Sequence, residues 1–168
     1  MTKKSSKIPD SERTDTTENW EGTMPELIDL MLASPNVWPQ PPANVQPRKS
    51  VSPWTVYRAT PKNGQPNDMY GLHFVGRDLS EWSGCVSSRV VSFDPKTMSG
   101  TTISGRVYEL VSQPGHCSDG DYVLGHWADF NEVEVEDVTE QFMKTYGLTI
   151  QRIMEADQQK FIDAKNRR

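Results

Sequence analysis

The chain has 168 residues, of which 35% are hydrophobic, and a net charge of −5. That is room for one domain with appendages, and the mean hydropathy of −0.68 puts part of the chain outside any core. The acidic balance excludes general charge-driven binding to nucleic acid. No run approaches the ~18 apolar residues of a membrane span, and no signal-peptide core follows the start, so the expected compartment is the cytoplasm.

Residues 1–19 carry almost nothing apolar beyond Ile8. Such a segment cannot bury enough surface to offset its ordering entropy, and it is read as a disordered tail. A short helix is expected over 20–34. Thr23 and Glu26 form a capping-box pattern, Met24, Leu27, Ile28 and Met31 share one helical stripe, and Pro35 ends the run. The segment 35–53 holds six prolines and reads as a stiff strap with Trp38 as a packing anchor.

A β region is expected over 54–130. "WTVYRAT" from Trp54 and "MYGLHFVG" from Met69 read as strands on their β-branched and aromatic content. Val86 to Phe93 reads as one strand and Asp94-Pro95 as a turn. Met98 to Ile103 runs back, Ser104-Gly105 reverses the chain, and Arg106 to Val111 is the next strand. "DYVLGHWADF", Asp121 to Phe130, is read as a further strand. About six short strands at this spacing suit a small, strongly bent antiparallel sheet or an SH3-like barrel.

Residues 131–168 change character. "DVTE" at Asp137–Glu140 repeats the capping-box pattern, and Val138, Phe142 and Tyr146 recur at helical spacing before Gly147. Thr149 opens a second helix, with Ile150, Ile153, Met154, Phe161 and Ala164 along one side. Sheet followed by helices makes the class α+β, with one short N-terminal and two C-terminal helices.

Chemistry-bearing motifs are scarce. There is no HExxH, no GxSxG and no phosphate loop. The only two cysteines, Cys85 and Cys117, do not make a disulfide framework, and Cys85 in a strand reads as a small buried hydrophobe. His116, Cys117 and His126 are the one cluster that a small hydrolase could use, if their side chains converge. Adjacent His-Cys does not suit a zinc knuckle, so neither metal nor other cofactor is expected.

Trp82 stands in the polar loop "DLSEWSG" and is the expected exposed anchor, with Asp78 and Glu81 beside it. Glu132, Glu134 and Glu136 form an acidic run suited to steering a basic partner. Arg58, Lys62, Arg77, Arg89, Lys96 and Arg106 are scattered, so a nucleic-acid-binding barrel is the weaker alternative.

The run Ser87 to Leu110, "SSRVVSFDPKTMSGTTISGRVYEL", resembles a meander in small uncharacterised bacterial and phage proteins. It shares with them a "VVSFDP" strand and turn followed by TxSGxxYxL. The resemblance spans about one seventh of the chain and transfers no catalytic residue. It implies a phage or mobile-element context, in which small non-enzymatic proteins bind host machinery. The expected function is therefore a protein-binding module, a host defence or regulatory protein being the special case.

Overall fold

The computed structural model describes residues 41–65 and 69–167. The expected tail at 1–19, the helix at 20–34 and the Trp38 anchor lie outside the described residues. Within them the order is β1 (Arg48–Pro61), β2 (Gly71–Asp78), β3 (Ser83–Val86), β4 (Val90–Asp94), β5 (Ser99–Thr102), β6 (Val107–Leu110), α1 (Ser118–Phe130), β7 (Val133–Asp137), α2 (Thr139–Thr145) and α3 (Ile150–Asn166). The class is α+β.

β1 organises everything else. Antiparallel β2 runs along one edge. The other edge is divided: β6 pairs in parallel with Arg48–Val51, and β7 pairs antiparallel with Tyr57–Pro61. The seven-stranded mixed sheet follows the path β3-β2-β1-β6-β5-β4 with β7 off it. β3 and β4 end that path without pairing to each other, so the sheet is not closed and the expected barrel is not formed.

Both faces of β1 are covered at its centre, where Trp54, Thr55 and Val56 are buried in succession. Trp54 and Val56 face the main core with Phe74, Cys85, Met98, Tyr108 and Leu110, closed off by Phe142 of α2 and Ile153 of α3. Ala59 and Tyr57 face α1, against Ala128, Trp127 and Val123. Each fully buried side chain of this size contributes about 1.5–3 kcal/mol.

Three elements differ from expectation. First, β1 starts at Arg48 rather than Trp54, because its opening residues find a partner in β6. Second, the expected Val86–Phe93 strand is broken. Buried Ser87 turns the corner: its amide donates to the Phe74 carbonyl (2.8 Å), and its hydroxyl oxygen accepts the Phe74 amide (2.8 Å). Beyond this corner β4 pairs with β5 alone.

Third, "DYVLGHWADF" is helix, not strand. The buried positions of α1, Gly120, Leu124 and Ala128, recur every four residues, the helical period that the segment's β-favouring aromatic content concealed. Asp119 and Asp121 occupy the first turn, where carboxylates favour the positive end of the helix dipole. Gly84 lets α1 approach: a Cβ there would lie 2.0 Å from the Asp119 carbonyl oxygen.

The C-terminal readings hold more closely. Val138 and Phe142 are buried, and Gly147 leaves α2 at φ +61°. The Thr149 hydroxyl accepts the Arg152 amide at the start of α3. The capping box at "DVTE" is replaced by Asp137, whose Oδ1 accepts both the amide and the hydroxyl of Thr139 (2.9 and 2.6 Å). The expected apolar side of α3 is not a buried side, since only Ile153 is buried along its length.

Candidate functional site

The turn between β2 and β3 presents Trp82. The indole is 70% exposed, and its backbone has φ +54°, a conformation rare for a bulky residue. The turn is pinned from within. The Trp82 amide donates to the Asp78 carbonyl (2.8 Å), and Asp78 Oδ1 accepts the amide and hydroxyl of Ser80 (2.8 and 2.7 Å). Asp78 Oδ2 meets Lys49 Nζ at 2.6 Å, with both side chains sealed from solvent. From outside, Gln46 Nε2 donates to Ser80 Oγ (3.3 Å).

Asp78 is thus not a contact residue, as the sequence suggested, but the support of one. Burial pushes its carboxyl up, yet hydrogen bonds from Lys49 and Ser80 and the Lys49 charge outweigh this and hold it below the ordinary carboxylate value. Glu81 remains half-exposed, with Oε2 3.8 Å from Lys49 Nζ. Lys49 itself was missed. Its neighbours are prolines and polar residues, and only the long-range pairing of β1 brings it to Asp78.

Glu132, Glu134 and Glu136 are exposed as expected, along the start and length of β7. They do not flank Trp82. Asp78 pairs with Val51 and Glu136 with Arg58, so the two sites are separated by about 20 Å along β1. Arg58 Nη1 sits 3.2 Å from Glu136 Oε2, which neutralises part of the run.

The His116 loop lies elsewhere again. β6 ends opposite Val51 and β7 ends opposite Tyr57 on the same edge of β1, and the notch between those two ends is a cleft of about 760 Å³. Thr55, Pro114–His116 and Glu136–Gln141 line it. His116 Nδ1 is 3.3 Å from Asp121 and Nε2 is 3.1 Å from Asp137. Tyr57 approaches it edge-on, with centroids 6.5 Å apart. Burial first, then the Asp137 and Asp121 charges, raise the Tyr57 phenol above its usual value.

The three residues of the hydrolase alternative are held by three separate sets of partners. His116 is engaged at both nitrogens by carboxylates. Cys117 Sγ accepts the Gly120 amide (3.4 Å) as the N-cap of α1. His126 lies about 13 Å further along that helix, edge-on to Tyr122 at 4.5 Å. Buried Cys85 has its thiol pushed up to about 12, chiefly by burial. Among the described residues no group of three or more His, Cys, Asp or Glu could hold a metal ion.

Several basic residues are committed as well. Arg77 pairs with Asp119 (2.9 Å) and Lys160 with Glu109 (2.7 Å), while Arg106 is buried and donates to the Gln46 and Pro41 carbonyls. No described helix is long and apolar enough to cross a membrane. Compared with protein-family models, with curated proteins and with solved structures, the chain matches none.

Proposed function

We propose that this chain is a cytoplasmic, non-enzymatic protein-binding module whose anchor is Trp82. One observation carries the reading: a 70% exposed indole stands on a turn locked by a buried ion pair. Tryptophan dominates binding energy at interfaces when it fills a partner pocket. A turn already ordered before binding gives up little conformational entropy on association. Glu81 beside the indole favours a partner pocket that is apolar with a cation at its rim. Glu134 and Glu136, on a different part of the surface, contribute through long-range steering and not through contact.

The phage or mobile-element context implied by the meander resemblance makes a bacterial defence or regulatory protein the first partner class to test. Immobilised wild-type and Trp82→Ala proteins are exposed to bacterial lysate, and captured proteins are identified by mass spectrometry. The expected partner is retained by the wild type and lost from Trp82→Ala. Kinetics with that partner then show a loss of about thirtyfold or more, as for an anchor residue of ~2 kcal/mol. A partner that binds both proteins equally removes Trp82 as the anchor.

A further inference from the structure

β7 pairs with β1 alone, and its other edge carries unpaired backbone. The Lys62 amide donates to the Glu132 carbonyl (2.9 Å), and the Val138 amide donates to the Val56 carbonyl (2.9 Å). Between these bonds the antiparallel register sets Thr60 opposite Glu134 and Arg58 opposite Glu136. Alternation along such a ladder turns the amides and carbonyls of Val133, Val135 and Asp137 away from β1. Val133 is buried, but Val135 is half-buried and Asp137 is exposed. At Val135 and Asp137 neither amide nor carbonyl meets a hydrogen-bond partner among the described residues.

The two faces of this edge differ in chemistry. Glu134 and Glu136 are exposed on one face, and Glu134 makes no ion pair or hydrogen bond among the described residues. On the other face, Val135 and Trp127 of α1 border the same two apolar clusters. A second copy does not suit the edge, because β7 against β7 sets like carboxylates opposite one another. β4, at the end of the sheet path, is interrupted by a bulge between Val90 and Ser92, a device that discourages strand addition. The register of β7 has no such interruption.

We propose that the outer edge of β7 takes an extended partner segment as an added strand. The segment is basic at the positions beside Glu134 and Glu136 and apolar at the alternating positions beside Val135. Backbone bonds to Val135 and Asp137 give attachment, and the alternation of side chains gives selectivity. The carboxylates that steer a partner toward Trp82 at long range act here by contact, on a different ligand. The proposal does not rest on the Trp82 reading.

The probe is a short capped peptide of alternating lysine and valine, with alternating glutamate and valine as its charge-reversed control, added to the full chain. Exchange of the Val135 and Asp137 amides is followed by NMR, and affinity is read by titration of the same spectra. At saturation the basic peptide should slow Val135 exchange about tenfold or more, while the acidic one leaves it unchanged. Glu134→Lys/Glu136→Lys should weaken the basic peptide about tenfold. Both side chains are exposed, so the double variant leaves the core intact. A Val135 amide already protected in the free chain, or equal binding of the basic peptide to the double variant, would overturn the proposal. A concentration-dependent dimer that protects this amide would overturn it in favour of self-association.

Discussion

The ammonium of Lys49 and the carboxylate of Asp78 meet at 2.6 Å, out of contact with solvent, at the base of the turn that presents Trp82. Removing Asp78 leaves the Lys49 charge buried with only the longer 3.8 Å contact to Glu81. Asp78→Asn should therefore cost about 3–5 kcal/mol, and adding Lys49→Met should recover part of it. Urea denaturation of the two variants measures both, and a loss under 1 kcal/mol for Asp78→Asn would mean that the pair is effectively solvated.

The same carboxylate predicts an acid limb. Its folded-state pKa is depressed, so its contribution is fully present above the unfolded value of about 3.9. It is lost as the pH falls through the lower folded value. Wild-type urea midpoints should drop between pH 5 and pH 2 more steeply than those of Asp78→Asn. Parallel curves for the two proteins would assign the acid limb to other carboxylates.

Trp82 has φ +54° and an exposed ring. Trp82→Gly should relieve backbone strain and leave stability unchanged or raised by about 1 kcal/mol. Partner binding should disappear at the same time. A thermal midpoint lowered by several degrees would show that the indole packs on its own fold.

Gly105 closes the β5–β6 hairpin at φ +83°, its amide donating to the Thr102 carbonyl (2.8 Å). A Cβ at this position meets nothing within 4 Å, so any cost is purely one of backbone conformation. Gly105→Val should lose roughly 1–3 kcal/mol and Gly105→Asn much less, since asparagine tolerates the left-handed region. Equal losses would point to packing instead.

Cys117 caps α1 through its sulfur. Cys117→Ser supplies a better capping oxygen and should be neutral or stabilising by up to about 1 kcal/mol, with partner binding intact. Thermal melts and capture assays together check this. A midpoint lowered by several degrees in Cys117→Ser would show that the thiol does more than cap α1.

Much of the architecture was legible because it depends on local rules. The Ser104-Gly105 reversal, the Thr149 cap and the Val138–Phe142 spacing are each set by residues a few positions apart, and each stands in the structure. The exposure of Trp82 followed from its polar neighbours. The Asp121–Phe130 run failed because its aromatic content outweighed a four-residue period that runs from Gly120 just before it through Leu124 to Ala128. β7 went unread because Glu134 and Glu136, alternating with Val133 and Val135, looked like a charge run before they looked like a half-buried strand.

By itself the sequence determined the α+β class, the meander turns, the helix starts at the C-terminus and the polar surroundings of Trp82. These follow from backbone preference, capping and short-range apolar period, which act within a turn or two of chain. Only the tertiary structure decided that β6 and β7 share one edge of β1, that Lys49 neutralises Asp78, and that Trp82 and the acidic strand lie about 20 Å apart. Those relations join residues 29 or more positions apart. They are set by which strand edges can pair once both faces of β1 are covered at its centre, a condition that no local segment of the chain encodes.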